Sequence, residues 1–293
     1  MQILNGQEVS LQIKNELKEK VNRLIDQGKR APHLSAILVG SDGGSQTYVH
    51  SKVKTTKEIG FTSTLIHLEE NTTEAKLIDQ IERFNTDPQI DGILVQLPLP
   101  KHISGENVIL SINPFKDVDG FHPVSVGKMV QGLPTFLPAT PHGIMLLLQH
   151  YKINTNGMDA VVIGRSNIVG RPMSILLSSN ANPGNCTVTI CHSHTKNLPD
   201  ICRQADLIVA ALGKPGFLKG DMVKEGAIVI DVGITRVNDP SSKKGYILKG
   251  DVDFGSVAPK CSFITPVPGG VGPMTIAALM MNTFRACVEN SSY

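Results

Sequence analysis

A phenol and an amine stand four residues apart in Tyr48-Val49-His50-Ser51-Lys52. On a helix that spacing puts both side chains on one face. A phenol one turn from an amine can stack on a flat substrate and help orient the amine, and a lysine serves as general acid or base once desolvation lowers its pKa. An exposed helix face carries the same pattern by accident, so the pair alone decides nothing. Gln96 closes the apolar run Gly92–Leu97, ahead of Pro98 and Pro100. A polar side chain at the carboxyl end of a parallel strand faces the place where α/β proteins bind ligands; a strand-end residue bonded to a loop is the plain alternative. Asp117-Val118-Asp119-Gly120 holds two carboxylates two residues apart in a turn. A helix cap and a metal loop are both open readings, although the further oxygen ligands of a calcium loop are missing. A single carboxylate there would instead pair with the amino group and ring N–H of a heterocycle.

A second constellation lies downstream. The short apolar run Ala160–Ile163 leads straight into Gly164-Arg165-Ser166-Asn167-Ile168-Val169-Gly170, and a helical pattern follows with Met173, Leu176 and Leu177. Strand, glycine turn and helix together put free backbone N–H groups and a helix N-terminus beside a phosphate. The run lacks the full Gly-x-Gly-x-x-Gly, so its weight comes from the strands that follow at 187–191, 207–211 and 227–232. NAD enzymes place an acid at the end of the next strand to bind the ribose 2′-hydroxyl. Here that position reads Cys191-His192-Ser193-His194-Thr195-Lys196, with hydroxyls and cations and no carboxylate. A 2′-phosphate needs such donors, so the expected cofactor is NADP; the alternative is a solvated polar loop. Pro266-Val267-Pro268-Gly269-Gly270-Val271-Gly272-Pro273 forces a tight path in which glycines let backbone approach a ligand, or in which the chain simply crosses between domains.

These residues need a frame. Apolar β-rich runs at Leu34–Val39, Phe61–Leu68 and Gly92–Leu97, then at Ala160–Ile163, Thr187–Cys191, Leu207–Ala211 and Ala227–Val232, alternate with helical patterns. Runs apolar almost throughout belong to parallel strands covered on both faces. Ile13, Leu17, Val21 and Leu24 recur at helical spacing before Gly28; Asn71 with Glu74 marks a second start; Thr140-Pro141 reads as a cap and first-turn proline. Gly40–Gln46 reads as a flexible polar loop. Strand–helix alternation predicts an α/β protein, two α/β domains with a cleft between them, the second a Rossmann-like doubly wound parallel sheet. Pro134 and Pro138 place the boundary: residues 1–138 plus 269–293 form the first domain and 139–268 the second. A last helix, Met274 to Val288, packs back onto the first domain.

Composition removes other classes. The 293 residues carry a formal charge of +2, too little for a general nucleic-acid binder. Five cysteines, odd in number and without a C-x-x-C pair, argue against a disulfide framework and a zinc site and read as small buried thiols in a reducing compartment. The N-terminus shows no signal peptide, and no apolar run approaches the ~20 residues that span a bilayer. The expected location is the cytoplasm, without membrane association.

Taken in order along nearly the whole chain, Tyr48-x-x-x-Lys52, Asp91–Pro98 with its Gln-Leu-Pro, Lys116–Gly120, Gly164-Arg165-Ser166 and Pro268–Thr275 with its Pro-Gly-Gly-Val-Gly-Pro resemble the bifunctional methylenetetrahydrofolate dehydrogenase/cyclohydrolase family. The resemblance implies oxidation of 5,10-methylenetetrahydrofolate with NADP and hydrolysis of the product, a place in purine biosynthesis, and a homodimer. It implies that Lys52 is the key catalytic group, that Tyr48 packs on the folate, that Gln96 hydrogen-bonds the lysine and keeps it partly neutral, and that Asp119 binds the pterin. Pro268, Gly269 and Gly270 are carried over as substrate-binding, and Gly164, Arg165, Ser166, Ser193 and Ile234 as cofactor-binding. The family has Pro-Cys-Thr-Pro where this chain has Pro138-Ala139-Thr140-Pro141, so any thiol sensitivity tied to that cysteine is expected to be lost without loss of catalysis. A short-chain dehydrogenase also uses Tyr-x-x-x-Lys, but its glycine motif precedes that pair, whereas here it follows. A dinucleotide-sensing module would not need Lys52, Gln96 and Asp119 gathered in a separate domain.

Overall fold

The computed structural model describes residues 1–242 and 245–290. In chain order its elements are β1 (Gln2–Ile3), α1 (Gly6–Asp26), β2 (His33–Val39), α2 (Gly43–Glu58), β3 (Thr62–Leu68), α3 (Glu74–Thr86), β4 (Gly92–Val95), α4 (Gly105–Ser111), α5 (Pro123–Val130) and α6 (Ala139–His150). They continue as β5 (Asp159–Ile163), α7 (Gly170–Ser178), β6 (Thr187–Cys191), α8 (Leu198–Gln204), β7 (Leu207–Ala210), β8 (Ile228–Asp231), β9 (Thr235–Asn238), β10 (Tyr246–Lys249), α9 (Phe254–Val257), β11 (Phe263–Ile264) and α10 (Val271–Asn290).

Two compact units result: Met1–Ser10 with Thr140–Thr275, and Leu11–Ala139 with the chain from Ile276 onward. In the second unit, β2 lies between β3 and β4 in an all-parallel sheet. Six of the seven residues of β2 and all four of β4 are buried, as strands covered on both faces must be. On one face Ile37, Val39, Ile93 and Val95 pack with Leu77, Ile81 and Phe84 of α3; α2 packs against β2 and β3. The other unit holds a six-stranded parallel sheet in the order β1-β11-β8-β7-β5-β6. Its core joins Val161, Ile163, Ile208, Val229, Val252 and Ile264. From β5 the chain steps one way to β6 and then back past β5 to β7, so the strand order reverses at β5 and leaves a crevice beyond the carboxyl ends of β5 and β7. The α/β class with a doubly wound parallel sheet is therefore present.

Several local expectations are corrected. Met1–Ser10 falls in the unit of the six-stranded sheet because β1 pairs with β11, a contact of residues 261 apart that no local pattern announces. Residues 269–275 fall there too, and from Ile276 the last helix clusters with Leu11–Ala139. Helix α3 is capped by Thr73, whose hydroxyl accepts from Lys76 N, and not by Asn71. Gly43–Gln46 is the first turn of α2 and not a loop, because the Asp42 carboxylate accepts from Ser45 N and caps it. Thr140 already lies inside α6, where its hydroxyl accepts from Thr275 Oγ1 at 3.0 Å. Helix α1 does end as expected, with Gly28 at φ +76° and Lys29 N donating to Leu24 O. The apolar stretch Val271–Glu289 is, by length and composition, long enough to cross a membrane, which the sequence reading overlooked. Its window is 61% buried in the protein, as a core helix is.

Ile93, on β4 at the edge of the three-stranded sheet, is fully buried in the core beneath α3. Ile93→Ala should lower stability by about 2–5 kcal/mol, the usual cost of deleting a large buried aliphatic group. Urea unfolding followed by circular dichroism would show this as a lower midpoint, and an unchanged midpoint would remove this residue from the core.

Candidate active site

Helix α2 carries Tyr48 and Lys52 on one face, as their spacing requires, and Lys52 is buried with 5% of its surface exposed. Its Nζ donates to Gln96 Oε1 at 3.1 Å and lies 5.2 Å from the centroid of the half-buried Tyr48 ring. Gln96 follows β4, held in register by Gln96 N donating to Ile37 O, while its Nε2 donates to Leu97 O at 2.6 Å. That second bond fixes which end of the amide meets the amine: the oxygen. Burial lowers the Lys52 pKa, and the Asp119 carboxylate acts in the opposite direction. Burial likewise raises Asp119, opposed by Lys52. Desolvation thus favours the neutral amine, and the Gln96 carbonyl oxygen, accepting from Nζ, aims the group.

Asp119 is presented by a loop whose neighbours are all tied down. Lys116 Nζ donates to Phe84 O and Asp87 O at 2.9 and 2.7 Å, closing the C-terminal end of α3. Asp117 accepts from Phe121 N, His122 N and Ser125 Oγ, and burial pushes its pKa up to about 7. Val118 fills the space above Gly92, where a Cβ would stand 2.7 Å from Val118 Cγ1. Gly120 turns the chain at φ +72°. The two acids of this turn therefore divide: Asp117 is the structural anchor and Asp119 faces the lysine. Asn282, on α10, was missed; its Nδ2 donates to Val118 O and to Leu137 O at 2.8 and 2.9 Å. A lone amide among Met280, Met281 and Thr283 was the available signal.

The glycine turn sits at the carboxyl end of β5. Gly164 has φ +131°, and a Cβ there would stand 2.3 Å from Ala211 O, so this turn packs directly on the segment after β7. A Cβ on Gly170 would stand 2.2 Å from Gly164 O. Both positions require glycine, and backbone is left bare toward the crevice. Ser166 Oγ accepts from Val169 N and Gly170 N, which starts α7 and leaves the hydroxyl proton to donate to a ligand oxygen. Arg165 and Ser193 are exposed. Partial burial, and then the nearby Arg165 and His194, hold His192 below the usual imidazole pKa. Positive and hydroxyl-bearing groups are therefore gathered at the ends of β5 and β6, where an NAD enzyme would carry an acid; these residues fit a 2′-phosphate. Ile234, 51% exposed, follows β8 on the same edge.

Pro268, Gly269 and Gly270 do not lie in the unit of Lys52 but in that of the six-stranded sheet. Gly269 (φ +107°) accepts at its carbonyl from Gln7 N at 3.0 Å. A Cβ on Gly6 would stand 1.8 Å from Gly270 O. The segment is thus packed against the start of α1, a structural role that the sequence left open. All five cysteines are buried thiols outside any disulfide.

Residues 4–119 match the family model described as tetrahydrofolate dehydrogenase/cyclohydrolase, catalytic domain, and residues 138–291 match its NAD(P)-binding domain. The bifunctional protein FolD of Flavobacterium johnsoniae is 58% identical over 286 residues, 98% of this chain and 97% of that protein. The solved methylenetetrahydrofolate dehydrogenase/cyclohydrolase of Campylobacter jejuni superposes with a TM-score of 0.92 at 50% identity, over 99% of each chain. That of Trypanosoma brucei, solved with NADP cofactor and an inhibitor, gives a TM-score of 0.95 at 38% identity, over 99% of this chain and 98% of that one.

Asp117→Ala would strip the acceptor from three donors, two of them backbone. A loss of about 1–3 kcal/mol is expected, the cost of leaving buried donors unmade. Chemical denaturation reads it directly, and a variant as stable as the parent would show that Asp117 does not anchor the loop.

Proposed function

The chain belongs to the tetrahydrofolate dehydrogenase/cyclohydrolase family, and we propose that the cluster of Lys52, Gln96, Asp119 and Tyr48 is where both of its reactions occur. The enzyme oxidises 5,10-methylenetetrahydrofolate to 5,10-methenyltetrahydrofolate with NADP⁺ and hydrolyses that product to 10-formyltetrahydrofolate. NADP⁺, when bound, supplies the hydride acceptor. Gly164, Arg165, Ser166, Ser193 and Ile234 are the residues assigned to hold it, the glycine by admitting backbone, Arg165 and Ser193 by meeting the 2′-phosphate. Pro268, Gly269 and Gly270 are assigned to the substrate through their exposed backbone.

The reading rests on one observation: a buried amine aimed by Gln96, beside a phenol ring and facing a carboxylate. In it, Asp119 accepts from the amino group and ring N–H of the pterin, and Tyr48 stacks on its face. Holding the substrate in one orientation turns a bimolecular encounter into a positioned one, a large part of the rate in such reactions. In the hydrolysis, water adds to the methenyl carbon and gives one proton to the neutral Lys52 amine. The bond from that carbon to N5 then breaks as the carbinol hydroxyl loses its proton and N5 gains one. One proton is released overall. A lysine whose pKa is lowered by burial suits this exchange, since a base works best with a pKa near the working pH. We further read the protein as a cytoplasmic homodimer supplying purine biosynthesis; its buried thiols suit a reducing compartment.

Lys52→Met should abolish hydrolysis of methenyltetrahydrofolate, followed by its absorbance; unchanged hydrolysis would remove Lys52 from this role. Removing the negative charge of Asp119 takes away the influence that raises the Lys52 pKa against burial. In Asp119→Asn the limb of the hydrolysis rate that requires neutral amine should therefore move to lower pH, and a pH–rate profile displaced upward would contradict the pairing. Dehydrogenase assays run in parallel with NADP⁺ and NAD⁺ should favour NADP⁺; preference for NAD⁺ would refute the assignment at Arg165 and His192–Lys196.

A further inference from the structure

Two buried carboxylates outside the lysine cluster have no part in the chemistry above. Asp251 is fully buried, and its carboxylate accepts from three successive backbone amides after β7: Leu212 N at 2.5 Å and Gly213 N at 2.9 Å on Oδ2, Lys214 N at 2.7 Å on Oδ1. Asp231 ends β8. Its Oδ1 accepts from Gly233 N at 3.0 Å and from Asp251 N at 2.8 Å, and its Oδ2 from Val252 N at 3.0 Å. Glycines admit the pair: a Cβ on Gly233 would stand 2.4 Å from Asp251 Cγ, and one on Gly250 would stand 1.9 Å from Asp231 Oδ2. Burial, with Asp251 nearby, raises the Asp231 pKa to about 6.

What the pair does hold is two loops at the carboxyl edge of the six-stranded sheet. The loop after β7 begins at Ala211, whose carbonyl closes on Gly164; the loop after β8 contains Gly233 and Ile234. We propose that Asp251, seated by Asp231, is a positioning residue for dinucleotide binding, its carboxylate pre-forming the Leu212–Lys214 loop beside the glycine turn before the dinucleotide arrives. The inference rests on the reading of that edge as the NADP site. A binding loop already ordered does not charge its ordering entropy to the ligand. The effect belongs to affinity for the dinucleotide and not to hydrolysis, which consumes none.

Asp251→Asn keeps the shape but places an N–H donor against at least one loop amide. The Kd for NADP⁺ by calorimetry and the KM for NADP⁺ should rise about tenfold, a change of about 1.4 kcal/mol, with kcat little changed and cyclohydrolase activity unaffected. Asp231→Asn, which leaves the acceptors of the loop in place, should give a smaller rise in the same direction. Equal loss of both activities, or an unchanged Kd, would overturn the proposal. A measurement on the unaltered enzyme needs no variant: amide exchange at Leu212, Gly213 and Lys214 should be slow without NADP⁺ and little altered by it. Fast exchange that slows only when NADP⁺ is added would show that the dinucleotide, and not Asp251, orders the loop. Failure of the unaltered enzyme to bind NADP⁺ would instead refute the cofactor reading itself.

Discussion

The burial of one amine governs this protein. Lys52 is 5% exposed, and desolvation there favours the uncharged form against the pull of Asp119. Neither effect alone would make a useful base. Full burial without a partner would leave the group neutral but undirected, and a close ion pair in water would leave it an ammonium. The Gln96 carbonyl adds direction, because its own Nε2 is committed to Leu97 O and only its oxygen can meet the lysine. Charge state and aim are thus set by different groups, so each can be altered separately.

That arrangement depends on rigid supports that contribute no chemistry. Lys116, Asp117 and Asn282 each spend charge or amide donors on backbone, fixing a five-residue turn so that Asp119 is the acid left to face the lysine. The six-stranded sheet uses the same device on its own edge, where Asp251 and Asp231 accept from loop amides that would otherwise seek water or each other. In both units a buried carboxylate ties irregular backbone to the end of a regular strand. Buried backbone donors need partners, and a side-chain acceptor supplies them where no ladder continues.

Glycine matters at few positions, and each has an identifiable neighbour. At Gly92 the contact is the side chain of Val118, below the loop of Asp119; at Gly164 it is the carbonyl of Ala211, at the reversal of strand order. Both bring two segments within a distance that a methyl group would forbid. The first lets the acid-bearing loop lie on its sheet, and the second opens backbone toward the crevice.

Parallel strands, the helices between them and the residues of the lysine cluster were legible from the chain, because burial on both faces writes a continuous apolar run and helical spacing puts Tyr48 and Lys52 on one face. The doubly wound order was expected from the glycine turn and the strands that follow it. What local pattern could not supply were contacts between distant residues: β1 beside β11, which moves Met1–Ser10 into the other unit; the division of labour between Asp117 and Asp119; and the amide of Asn282 on Val118. The cap of α3 at Thr73 and the early start of α2 at Gly43 were misread because several oxygen-bearing side chains nearby compete for the same amides. Local pattern dictated the alphabet of elements and the chemical types at the site. Which carboxylate is tied to backbone and which faces an amine was settled by packing, since that choice depends on donors brought in from elsewhere in the chain and on the water that their packing excludes.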